Sequence, residues 1–145
     1  MTHQEIVALF DRREDAFARH DVKALAGMHA ATGVVESPMA GGSVTGQAAI
    51  AQLYEALFKA FPDATLTTEE LVIDGDRVAQ VATLAGTDAG GFLGLPATGK
   101  PFRVPVLILI TATDRQIVSE RRIYDFTGLL IQIGVLKAQP AVARP

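Results

Sequence analysis

Residues 65–87 read TLTTEELVIDGDRVAQVATLAGT, two strand-like arms joined by a short polar turn. The arms, 65–73 and 77–87, are rich in Thr, Val, Leu and Ile, and Asp74-Gly75-Asp76 between them is the signal of a tight hairpin. Downstream the same period continues. A turn-rich loop at 89–101 holds five Gly and Pro before its closing Lys-Pro, and it leads into a long branched strand at 102–113. Asp114-Arg115-Gln116 turns that strand into another at 117–126, and a short helical turn follows at 128–134. The last residues, 138–145, show no periodic pattern and read as a flexible tail beyond a single domain at 1–137.

Upstream the spacing is helical. Thr2 and Glu5 form a capping-box pattern, and Ile6, Leu9, Phe10, Arg13 and Phe17 then share one face. Asp21 caps a second, short helix carrying Leu25 and Met28. A brief apolar run at Val34 and Val35 is ended by Ser37-Pro38 and the glycines at 41 and 42. A third helix begins near Thr45 or Gly46, places Ile50, Leu53, Tyr54, Leu57, Phe58 and Phe61 on one side, and stops at Pro62. Helices first and antiparallel strands second is an α+β pattern, in which a curved sheet and three N-terminal helices hide one face of each other.

Composition narrows the function. The absence of cysteine excludes a disulfide framework, a thiolate metal site and a cysteine nucleophile. A net charge of −3 argues against nucleic acid or an acidic membrane as partner, since both call for a basic patch. The longest apolar run, 104–110, is interrupted by Pro105 and is far too short to span a bilayer. Met1 leads straight into a polar segment, so a soluble cytoplasmic protein without a signal peptide is expected. Three scattered histidines, with no partner at ligand spacing, suggest no metal site.

Three stretches carry a resemblance. Val35-Glu36-Ser37-Pro38 precedes Gly46-Gln47-Ala48-Ala49-Ile50; residues 86–100 read GTDAGGFLGLPATGK; and Ile117-Val118-Ser119-Glu120 runs through Asp125 into residues 128–135, GLLIQIGV. In this order, over about residues 5 to 136, they resemble the SnoaL-like polyketide and ester cyclases of the nuclear-transport-factor-2-like superfamily. The resemblance implies a cone-shaped, cystatin-like barrel of curved, mostly antiparallel sheet around an apolar pocket, and no cofactor. It also implies an aspartate of the last strand as general acid/base in an intramolecular aldol closure.

Asp125 occupies that aspartate's place and shares a strand face with Arg121. If that face lines the cone, desolvation raises its pKa toward neutrality and Arg121 stabilises a developing enolate; otherwise Asp125 caps the final turn or pairs with Arg121. Asp88 stands where the family loop usually has His, and an ionised Asp accepts hydrogen bonds without donating them; it is otherwise a solvated loop residue. Ser37 matches the place of the proton-shuttling carboxylate in steroid-isomerase relatives. A serine without a base beside it does not take a carbon-bound proton, so that chemistry is disfavoured. His29 is expected beside the pocket mouth, His3 and His20 toward solvent, and Tyr54 as a pocket-lining donor. Phe17, Leu57, Phe58 and Phe92 read as pocket wall or core.

The leading expectation is proton transfer, by aldol closure or isomerisation, on a hydrophobic carbonyl substrate. A ligand-binding or dimeric scaffold domain is the rival, with the apolar strand at 102–110 offering a sheet face for a homodimer. Epoxide hydration by a carboxylate–Arg–carboxylate set is the further alternative.

Overall fold

In the computed structural model, which describes residues 1–138, the chain opens with α1 (His3–Ala18) and α2 (Val22–Gly27). It continues through β1 (His29–Ser37), a single 3-10 turn (Pro38–Ala40), β2 (Gly42–Thr45) and α3 (Gln47–Ala60). It closes with β3 (Thr65–Asp74), β4 (Arg77–Thr87), β5 (Pro101–Thr113), β6 (Gln116–Tyr124) and α4 (Phe126–Gln132). Of the tail expected at 138–145, residues 139–145 lie outside the described residues.

The helices start where their caps dictate. Thr2 Oγ1 accepts from the Glu5 N–H at 3.1 Å while Glu5 Oε2 accepts from the Thr2 N–H at 2.9 Å, closing the capping box. Asp21 Oδ1 accepts from the Ala24 N–H at 3.0 Å and starts α2. The buried face of α1 is Ile6, Leu9, Phe10, Arg13, Ala16 and Phe17, and that of α3 is Ile50, Leu53, Tyr54, Leu57 and Ala60. Each fully buried Leu or Phe on these faces contributes about 1.5–3 kcal/mol.

The sheet order is β2-β1-β6-β5-β4-β3. Strands β3 to β6 form an antiparallel meander, whereas β1 joins its far side parallel to β6, with Val35 opposite Glu120. Bulges between Thr68 and Glu70 and between Thr111 and Ala112 bend the strands, and the edge strands β2 and β3 do not meet. The result is a curved, open cone. On β5, Phe102, Val104, Val106, Ile108, Ile110 and Ala112 point to the helices; the alternate residues face outward.

Among the boundaries that differ from the sequence reading, two have a clear local cause. The glycines at 41 and 42 begin a strand as well as end one: Gly41, at φ +67°, reverses the chain so that Val44 pairs back on Val35. Strand β6 ends at Tyr124, because the Asp125 carboxylate accepts from the Gly128 N–H at 2.8 Å and caps α4.

The loop between β4 and β5 is tied to α3 at Gly90, whose N–H donates to the Ala60 carbonyl at 3.0 Å. A Cβ at this position would overlap the Lys59 carbonyl oxygen, which is backbone and cannot step aside. Gly90→Ala is therefore expected to cost about 1–3 kcal/mol, the usual range for overpacking. Urea unfolding measures the loss, and an unchanged midpoint contradicts this account of the loop.

Candidate active site in the cone interior

Strand β6 determines what faces the interior. Glu120, Arg122 and Tyr124 point inward, while Ser119, Arg121 and Ile123 are exposed on the opposite face. Glu120 is fully buried. Its Oε1 accepts from Arg13 Nη1 of α1 at 3.0 Å, and its Oε2 accepts from Arg122 Nε at 2.5 Å. The remaining reach of Arg13 Nη1 goes to the Tyr54 hydroxyl of α3 at 3.2 Å. The Arg122 guanidinium lies over the Tyr54 ring, 4.8 Å from its centroid. His29 Nε2 stands 3.6 Å from Glu120 Oε1, and neither ring nitrogen has a hydrogen-bond partner among the described residues.

The electrostatics follow from these contacts. Burial alone would raise the Glu120 carboxyl, but Arg122 and Arg13 outweigh it and hold the group far below the ordinary carboxylate range. Burial lowers the His29 pKa to about 4, with Glu120 opposing and the two arginines adding to the fall, so this imidazole is neutral at pH 7. Burial pushes the Tyr124 phenol up, against the Ser37 hydroxyl, Arg122 and the Met39 N–H. Two guanidinium cations thus surround one carboxylate.

A cavity of about 40 Å³ lies against this cluster, walled by Arg13, Arg122, Tyr54, Tyr124 and the apolar Phe17 and Leu57. Met39 lines both this cavity and a groove of about 570 Å³ between α3 and the glycine loop. Drug-sized ligands usually occupy about 300–1,000 Å³.

Tyr54, Phe17 and Leu57 line the interior cavity. Asp125 and Arg121 do not. Asp125 is exposed at the α4 cap, and Arg121, its side chain 64% exposed, pairs with Glu36 at 3.2 Å. The alternation of β6 separates them from the interior, so the capping alternative describes Asp125. His29 is the first residue of β1 and sits fully buried behind Glu120, away from any mouth. Phe58 is half-buried and does not belong to the cavity lining; it packs on Phe17 at 5.1 Å and stacks on His20 at 4.0 Å. His20 also places Nε2 2.8 Å from the Ala64 carbonyl, so it is packed and not free in solvent.

Asp88 is fully buried, against the reading of a solvated loop residue. Its carboxylate accepts from the Gly91 and Thr98 N–H groups and the Thr98 hydroxyl, each at 3.1 Å, and so closes the glycine loop on itself. Phe92 anchors that loop, buried against Phe61 at 4.9 Å. The residues that sequence reasoning missed are Arg13, Glu120 and Arg122. A signal existed: an arginine on the apolar face of α1 requires a buried partner. Among the described residues no group of His, Asp and Glu is placed to hold a metal ion, and no helix is long and apolar enough to cross a membrane.

The model of the SnoaL-like polyketide cyclase family matches residues 8–133. A comparison with curated proteins finds no match. AclR of Streptomyces galilaeus, named as a candidate hydroxylase, superposes with a TM-score of 0.82 at 26% identity, covering 97% of this chain and 91% of that one. Wild-type IdmH of Streptomyces antibioticus, named as a candidate polyketide cyclase, gives 0.76 at 27%, covering 91% and 99%. A Catenulispora acidiphila protein with a ketosteroid isomerase-like fold, in complex with trimethylamine, gives 0.74 at 23%, covering 87% and 92%, a likeness of fold alone.

The buried imidazole makes stability pH-dependent. An unfolded His29 takes up a proton near its ordinary 6.5, whereas the folded one resists until about 4, so the unfolded state binds more protons between these values. This contribution is intact above pH 6.5 and is lost as the pH falls toward 4, amounting to roughly 2 kcal/mol by pH 5. Urea midpoints at pH 7.5 and 5.0 should differ accordingly, and His29→Gln should reduce the difference. An equal slope in that variant assigns the effect elsewhere.

Proposed function

Because the chain belongs to the SnoaL-like polyketide cyclase family, we propose that it takes a hydrophobic, oxygen-bearing carbonyl compound into the cone. There it promotes cyclase-type proton transfer, an intramolecular aldol closure or an isomerisation. The observation that carries this reading is Arg122, which lines the interior cavity with a buried Nη2 that has no partner among the described residues. Negative charge on a carbonyl oxygen grows as the adjacent carbon loses its proton, and a fixed cation in a buried site stabilises that charge far more than water does.

In this reading the carbon-bound proton passes to water, and Arg122 and the Tyr54 hydroxyl hold the enolate oxygen. The enolate carbon attacks a second carbonyl. Tyr124, kept as a neutral phenol by burial, donates its proton to the new alkoxide and regains one from solvent. Glu120 positions both arginines; held ionised between them, it is a poor proton acceptor. Epoxide hydration requires a second inward carboxylate, where the cluster supplies a second guanidinium instead.

A dimeric assembly has an observation of its own. On the outer sheet face Leu107 is 36% exposed, Ile123 44% and Val72 52%, an apolar surface suited to a second copy. A homodimer through the sheet is therefore part of the proposal. Sedimentation at micromolar concentration should find a dimer that Leu107→Lys dissociates; a wild-type monomer rejects it.

Turnover tests the chemistry. With polyketide-like 1,3-dicarbonyl substrates, Arg122→Met should lower kcat by about 10²–10³-fold, the usual effect of removing an oxyanion donor. Asp125→Asn should keep kcat and lose about 1 kcal/mol or less of stability as a weakened helix cap. Wild-type turnover in Arg122→Met, or its loss in Asp125→Asn, reverses the assignment.

A further inference from the structure

We infer that the ligand of the interior site carries one negative charge, as a carboxylate, on an apolar body. This inference rests on the reading of the cone interior as the substrate site and narrows the class of compound that enters it.

The charge count is the first argument. Arg13 and Arg122 face the cavity, and both are buried. The single carboxylate between them, Glu120, is not part of the cavity wall, so the space meets the cations and not their counter-charge. His29 adds no anion, and Glu36 and Asp125 lie outside. A buried guanidinium cannot shed its proton, so the excess cation persists until something neutralises it.

The donor count is the second argument, and it does not depend on charge. Both Glu120 oxygens are taken, by Arg13 Nη1 and Arg122 Nε. Arg122 Nη2 and Arg13 Nε are buried with no acceptor among the described residues. The Tyr54 oxygen already accepts from Arg13, which leaves its hydrogen to donate. The site therefore offers several donors, and among its lining residues no carboxylate accepts from them, the complement of an oxyanion. Phe17, Leu57, Val106 and Ile108 complete the walls and suit an apolar remainder. At about 40 Å³ the cavity admits only a head group, so the body displaces Met39 toward the groove beyond it.

The test uses three isosteres at pH 7.5: 4-phenylbutyrate, 4-phenylbutyramide and 4-phenylbutylamine, titrated by calorimetry into the wild-type protein. The carboxylate should bind at least tenfold more tightly than the amide, and the ammonium should not bind. In Arg122→Met, which leaves Glu120 paired with Arg13 alone, carboxylate affinity should fall to that of the amide while the amide is unaffected. The Arg122 Nε–H resonance should shift with the carboxylate in the wild-type protein, a readout that needs no variant to fold. Equal affinity for carboxylate and amide overturns the anion inference and leaves the interior pocket standing. No binding by any of the three at millimolar concentration counts against both.

Discussion

The Glu120 carboxylate, held between Arg13 of α1 and Arg122 of its own strand, is the contact on which the arrangement of the interior depends. It ties residues 107 apart in sequence and closes the first helix against the last strand. Taking three charges out of water is expensive, and such a cluster is weak evidence of net stability. What it supplies is phase. With β6 turned over, Glu120 and Arg122 would both face outward and the buried Arg13 of α1 would be left without its carboxylate. A one-residue slip of β6 is therefore penalised electrostatically as well as by its apolar neighbours.

That phase divides the protein into two chemically different faces. Inside stand cations, phenols and aromatic walls; outside stand Arg121 with Glu36 and the exposed Leu107 and Ile123. The glycine loop is built separately. Asp88 closes it from within and Phe92 pins it to Phe61, so its exposed Leu93 and Leu95 project over the groove beside Met39. Loop, turn and cavity meet at that one methionine.

Much of the fold was legible because its signals are local. The Thr2–Glu5 capping box, the Asp21 cap, Pro62 after α3 and the Gly75 turn act within a few residues. Strand β2 was not, since four residues are too few to show alternation and their pairing depends on the left-handed Gly41. Nor was the parallel pairing of β1 with β6, which joins residues about 85 apart that no periodicity relates. The candidate site divides in the same way. Tyr54, Phe17 and Leu57 lie on helices whose apolar face identifies the buried side. Asp125 and Arg121 lie at a strand whose two faces both carry charge, and alternation alone cannot say which face is inside.

By itself, then, the sequence determined most of the element types, the α+β class, the family and the pairing of Arg121 with one face of β6 and Arg122 with the other. Only the tertiary structure decided which face looks inward. The inward choice costs desolvation of Glu120 and Arg122, offset by their own ion pair and by the hydrogen bond that Arg13 of α1 brings to the same carboxylate. That third partner comes from the opposite end of the chain, where nothing in the local sequence of β6 announces it.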